Sequence, residues 1–120
     1  MKILIVKTSS LGDIIQAFPV VSFLKTHFPE GVIDWVVEEE FLSLLASHPD
    51  INVPIPVALR KWKKAPFKAR KEVGGQIKRL REMHYDMAFD LQGNIKSGLI
   101  TKLARAKEKV GMSFSSAAEW

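Results

Sequence analysis

Six consecutive residues, Thr8-Ser9-Ser10-Leu11-Gly12-Asp13, combine three hydroxyls, a glycine and a carboxylate between an apolar run and a helical pattern. In an open parallel sheet, ligands bind outside the carboxyl ends of the strands, so a loop in this place is positioned for chemistry. Its single glycine excludes the dinucleotide fingerprint GxGxxG and the phosphate loop GxxxxGK followed by Ser or Thr. Gly12 permits a close backbone approach or a positive φ. Asp13 has two readings. One is a first-turn acid complementing the helix dipole, worth less than about 1 kcal/mol. The other is a catalytic carboxylate facing the crevice. The dipole would keep that carboxylate ionised and make it a weaker base, suited to taking a hydroxyl proton late in a displacement.

Two further segments fall at strand ends. Glu38-Glu39-Glu40 reads first as a solvated helix start. Gln92-Gly93-Asn94 follows a later strand. His27, His48 and His84 are isolated, none at ligand spacing, and sit near predicted helix ends, where capping is the expected role and metal binding is not. The absence of cysteine removes thiolate nucleophiles, disulfides and Cys-ligated zinc. Charge is localised: between Arg60 and Arg81 lie ten basic residues and the single acid Glu72, leaving +9 there and −4 over the remainder. Lys68 to Arg81 reads as the outward face of an amphipathic helix. Arg60-Lys-Trp-Lys-Lys64 falls in a loop, where an anionic partner is the better explanation. No nucleic-acid-binding signature accompanies it, so a phosphate-bearing ligand or anionic membrane surface is favoured over nucleic acid.

The elements that must position these groups alternate. Lys2-Ile-Leu-Ile-Val-Lys7 has the form of a strand buried on both faces, and is expected to be that rather than a secretory signal. Asp13 to Phe28 is apolar at helical spacing, with Pro19 predicting a kink or restart. Val32 to Val37 is a strand with Trp35 in the core, and Glu39 to Ser47 a short helix. Ile51 to Leu59 is extended, its Pro54 and Pro56 favouring a sheet edge. Phe67 to Met83 is helical, Asp86 to Leu91 a strand, Ile95 to Arg105 a helix and Glu108 to Met112 a strand. This order predicts α/β architecture, a Rossmann-like parallel sheet with helices on both faces. At 120 residues there is room for one domain. No apolar run approaches the roughly 20 residues that span a bilayer. Ser116-Ala-Ala-Glu119 has capping-box spacing, yet the sequence ends one residue later, which predicts a fragment of a longer protein.

Met1-Lys-Ile-Leu-Ile-Val-Lys-Thr-Ser-Ser-Leu-Gly-Asp13-Ile-Ile-Gln-Ala-Phe-Pro19 resembles the opening of the ADP-heptose:lipopolysaccharide heptosyltransferases, glycosyltransferase family 9. Asp34-Trp-Val-Val-Glu-Glu39, Ile55-Pro-Val-Ala-Leu-Arg-Lys-Trp62 and Asp90-Leu-Gln-Gly-Asn-Ile-Lys-Ser97 are similar to the same family in the same order. The resemblance implies the N-terminal half of a GT-B glycosyltransferase, in which two Rossmann-like domains face each other across a cleft. It implies inverting, metal-independent transfer of L-glycero-D-manno-heptose from ADP-heptose to a Kdo sugar of the lipopolysaccharide inner core. Residues 1–120 would then be the acceptor-binding domain, with a C-terminal nucleotide-sugar domain beyond them. Asp13 would be the general base, with Ser10 and Gly12 lining the crevice and Arg60, Lys61 and Lys64 contacting acceptor phosphate and carboxylate groups. The implied partners are Kdo-lipid A, ADP-heptose and the anionic cytoplasmic face of the inner membrane. No cofactor is implied.

One position departs from the family: an arginine often precedes the glutamate corresponding to Glu119, and here it is Ala118. The chain alone is expected not to transfer heptose. Two alternatives stand beside this reading: another lipopolysaccharide-core glycosyltransferase of the family, and a stand-alone α/β module for an anionic ligand or membrane surface.

Overall fold

The computed structural model describes residues 1–58, 70–93 and 95–111. Its first strand, β1 (Lys2–Val6), is followed by helix α1 (Leu11–His27), strand β2 (Val32–Glu38), a 3-10 turn (Glu39–Phe41), helix α2 (Leu42–Ala46) and strand β3 (Val53–Val57). Helix α3 (Arg70–Glu82), strand β4 (His84–Asp90), helix α4 (Ile95–Leu103) and strand β5 (Arg105–Gly111) complete the order. All described pairings are parallel and the sheet order is β3-β2-β1-β4-β5. The α/β expectation is met.

β1 is central because its side chains allow nothing else. Ile3, Leu4, Ile5 and Val6 have no exposed surface, and burying each contributes about 1.5–3 kcal/mol. Alternation along the strand divides them. Ile3 and Ile5 join Ile14, Val21 and Leu24 of α1, Trp35 of β2 and Leu45 of α2 on one face. Leu4 and Val6 join Val36, Ile55, Leu80 of α3, Tyr85 and Ile100 of α4 on the other. Helices therefore cover both faces.

β3 lies at an edge, as its prolines predict, since Pro54 and Pro56 have no N–H to give a further strand. Boundaries differ from expectation in ways that side chains explain. α1 begins at Leu11 rather than Asp13, because Ser10, extended at φ −91°, ψ −177°, is its N-cap. It runs unbroken past Pro19, so there is no restart. β4 begins at His84 rather than Asp86, and His84 opens a strand instead of capping a helix. Tyr85 draws this start into the sheet: its hydroxyl donates to Asp34 Oδ2 at 2.8 Å, passing beneath β1. Asp34 Oδ1 also accepts from Val53 N at 3.1 Å and Asn52 Nδ2 at 3.2 Å. Together these bonds tie β2, β3 and β4 at one depth. β5 begins at Arg105, not Glu108, and α4 stops at Leu103.

α1 is apolar nearly all round. Leu11, Ile15 and Phe23 lie on the side turned away from the sheet and are about half exposed. No described helix is long and apolar enough to cross a membrane. The expected helix start at Ser116 and the loop tryptophan Trp62 lie outside the described residues.

Candidate active site

Going from β1 to β2 to β3 the sheet grows one way, and through β4 to β5 it grows the other. The change of direction falls between β1 and β4, and at such a point the two following loops part and leave a crevice at the carboxyl ends. The loops here are residues 7–10, leading into α1, and the segment that begins at residues 91–93, after β4 and before α4. Both segments singled out in the sequence, Ser10 to Asp13 and Gln92-Gly93, flank this crevice.

The β1 loop is held on three sides. Lys7 N donates to Val36 O at 3.3 Å, and Glu38 N donates to Thr8 O at 3.0 Å. The Trp35 indole donates to Lys7 O at 2.9 Å, which places that buried core residue directly under the loop. Across the crevice Leu91 N donates to Val6 O at 3.0 Å, continuing the ladder one step beyond the strands. Lys7 Nζ reaches the other loop and donates to Leu91 O at 3.3 Å.

Ser10, Gly12 and Asp13 come together in the first turn of α1, and all three are exposed. Asp13 Oδ2 accepts from Ser10 N at 3.4 Å, the reach of a capping box. That bond is at the long limit, so it aims the carboxylate without consuming it. The dipole and catalytic readings are therefore compatible: Asp13 steadies the helix end and still presents a free carboxylate edge to solvent. Of the two roles open to Gly12, the structure leaves close approach. Gly12 does not have a positive φ, and a Cβ there would meet nothing within 4 Å. The room above it is open to a ligand. Arg60, Lys61 and Lys64 lie outside the described residues.

The second loop is built by a residue that sequence reasoning missed. Asp90, buried at the end of β4, accepts from Gln92 N and Gly93 N through Oδ1, each at 3.0 Å. Its Oδ2 accepts from Ser97 Oγ at 3.2 Å, so one carboxylate fixes both the turn and the first turns of α4. An aspartate three residues before a turn glycine is the local signal that could have shown this. Gly93 has φ 70°, the left-handed region that glycine enters without strain. Gln92 Oε1 is buried without a hydrogen-bond partner.

Elsewhere, His27 Nδ1 lies 3.0 Å from Phe23 O at the end of α1, the capping role expected of it. His48 Nδ1 accepts from Asp50 N at 3.1 Å. Glu39 and Glu40 are exposed in the 3-10 turn. Among the described residues no cluster of three His, Asp or Glu could hold a metal ion. An open hollow of about 380 Å3, lined by His84, Tyr85, Arg105 and Lys107, lies at the amino ends of β4 and β5, opposite the crevice.

Sheet order, switch point and the loop leading into α1 define a Rossmann-like α/β unit with an open carboxyl-end crevice. Residues 74–120 match the family model for glycosyltransferase family 9 (heptosyltransferase). The particular likeness is to lipopolysaccharide heptosyltransferase 1. The chain is 38% identical to that of Pseudomonas aeruginosa over 121 residues, and 40% identical to that of Escherichia coli strain K12 over 124, in each case 99% of this chain. The solved structure of E. coli heptosyltransferase WaaC with ADP-2-deoxy-2-fluoro heptose superposes with a TM-score of 0.90 at 38% identity, covering 98% of this chain and 38% of that one. The resemblance expected from the opening motif thus holds across nearly the whole sequence. The chain spans about a third of the length of these relatives, 34% of the first and 38% of the second.

Proposed function

We propose that this chain is the acceptor-binding, N-terminal part of an inverting GT-B heptosyltransferase. The complete enzyme moves L-glycero-D-manno-heptose from ADP-heptose to a Kdo sugar of the lipopolysaccharide inner core. The observation that carries this reading is Asp13, an exposed carboxylate in the first turn of α1, at the switch point of a sheet matching heptosyltransferase 1. A solved relative holds an ADP-heptose analogue, which supports the donor class. Donor recognition belongs to the remaining two-thirds of such an enzyme.

The chemistry is a single displacement without a metal. The acceptor hydroxyl oxygen attacks the anomeric carbon of the heptose and forms the new glycosidic bond. The bond from that carbon to the diphosphate oxygen breaks, and ADP leaves with its electron pair. Asp13 receives the hydroxyl proton as the attacking oxygen becomes acidic through bond formation. Ser10 and the open space above Gly12 border the path of the acceptor. Arg60, Lys61 and Lys64 meet its phosphates and carboxylates. The acceptor is Kdo-lipid A, presented at the anionic cytoplasmic face of the inner membrane, where the protein is peripheral. Nucleic acid is not a partner.

Asp13→Asn in the complete enzyme tests this. It preserves shape and removes the proton acceptor, so kcat should fall roughly 10²–10⁴-fold with acceptor binding largely intact. Near-normal turnover would exclude Asp13 as the base.

A further inference from the structure

Helix α1 has no charged face to turn to water. Ile14, Ala17, Val21 and Leu24 are buried against the sheet. On the opposite side Leu11, Ile15, Pro19 and Phe23 recur at every fourth residue, and all four are exposed, Phe23 by 59%. The exposed residues beside them, Gly12, Gln16, Ser22 and Thr26, are uncharged. Over the whole helix the charges are Asp13 and Lys25, with His27 at its end. Lys25 Nζ is turned to the following loop, donating to Gly31 O at 2.9 Å and Pro29 O at 3.5 Å. A surface helix ordinarily pairs an apolar stripe with a polar face, and one that is apolar on every side belongs inside a larger body. Residues four apart form one continuous ridge, here about 18 Å long at 1.5 Å per residue.

Charge and area decide what covers this ridge. Interfacial helices reach anionic lipid through lysines and arginines that flank their apolar face, and α1 has none there. Residues 1–58 carry three lysines against seven acids. Glu39 and Glu40 are exposed in the turn before α2, which packs on the same face of the sheet as α1. An anionic bilayer is repelled by this side. A second copy would set the same acids against each other. The ridge, about 18 Å by 10 Å, offers it roughly 200 Å2, where each partner of a stable pair gives about 800 Å2. A segment of the same polypeptide loses little further freedom on docking, so a small ridge suffices for it. Such a segment exists if the protein has the length of its relatives, of which this chain spans 34% and 38%. We propose that the ridge Leu11-Ile15-Pro19-Phe23 seats an apolar helix face from the remaining two-thirds of the polypeptide; this rests on the reading above of the chain as part of a longer enzyme. Leu11 and Asp13 share the first turn of α1. The same contact therefore steadies the turn that carries the proposed base.

Hydroxyl-radical footprinting of the complete, lipid-free protein, read by mass spectrometry at Leu11, Ile15 and Phe23, tests this. Each rate is taken relative to the same residue in a peptide digest. Half exposure alone would slow these side chains about twofold, whereas a seated segment should slow them about tenfold or more. Phe23→Glu should unseat the segment and raise the rates at Leu11 and Ile15 severalfold. Wild-type rates at the twofold level would overturn the proposal, as would protection of Leu11 and Ile15 that Phe23→Glu leaves unchanged. Protection that fades on dilution assigns the ridge to a second copy, and protection that needs phosphatidylglycerol vesicles assigns it to lipid; either overturns the proposal. Protection in a protein that transfers no heptose keeps the seat and sinks the proposed function. Transfer by a protein whose ridge is bare does the reverse.

Discussion

Tyr85→Phe removes one oxygen and isolates the worth of the bond that passes beneath β1. Tyr85 is 3% exposed and Asp34 2%, so neither can exchange its partner for water. The 2.8 Å bond is charge-assisted, and such bonds contribute about 1.5–3 kcal/mol when one partner is removed. Asp34 would retain Val53 N and Asn52 Nδ2, which places the expected loss at about 2 kcal/mol rather than at the cost of an abandoned buried charge. Burial first, then the Asp34 carboxylate by hydrogen bond and by charge, raise the Tyr85 pKa far above its ordinary 10.0. Stability from this source is therefore complete below pH 10 and is lost as pH rises, since the unfolded tyrosine ionises first. The loss is about 1.4 kcal/mol for each pH unit above that value. Urea unfolding followed by tryptophan fluorescence, with equal m-values required of both proteins, gives the difference at pH 8 and again at pH 11. Wild type should lead by about 2 kcal/mol at pH 8 and by about 1.4 kcal/mol less at pH 11. A lead under about 0.5 kcal/mol at pH 8, or one that does not shrink with pH, refutes the reasoning.

Gly111→Ala would place a Cβ 2.7 Å from the Cβ of Asp90, and should cost about 1–3 kcal/mol by thermal or urea unfolding. Arg60→Ala with Lys64→Ala in the complete enzyme should weaken acceptor binding, and the deficit should narrow as salt is raised; unchanged affinity would return that segment to a solvated surface. The Asp86 carboxyl is held below its ordinary 3.8, chiefly by the backbone N–H of Lys2 and further by the Lys107 ammonium. Its contribution is present above that value and lost as pH falls through the lower folded one, so Asp86→Asn should narrow the gap between stability at pH 6 and at pH 3.

Much of this architecture can be read from the chain because its signals are local. The unbroken apolar run of β1 could only be a strand buried on both faces, and the paired prolines of β3 could only stand at an edge. The loop at Ser10 to Asp13 was found because chemistry at the end of a first parallel strand has one place to go. What escaped reading is non-local or disguised. Tyr85 and Asp34 are 51 residues apart, and no window over His84-Tyr85-Asp86 shows that a strand has begun. β5 is an outer strand among the described residues, and Lys107, Glu108 and Lys109 conceal its extended pattern behind the charge that such strands carry against unwanted pairing. Lys7 merely follows an apolar run in the sequence, and only the fold brings its Nζ to Leu91 O, 84 residues away.

The central position of β1 also sets the order in which the crevice can come into being during synthesis. β1 is the first of the described strands to be made, yet its neighbour β4 is the fourth, and Lys7 and Leu91 are separated by 84 residues. At about 5–20 residues per second, a ribosome needs roughly 4–17 s to cross that interval. Throughout it Ile3 to Val6 can pair with β2 but present a bare apolar edge where β4 will later insert. Asp13 and the floor of the crevice beside it are thus joined only late, once β4 has been made.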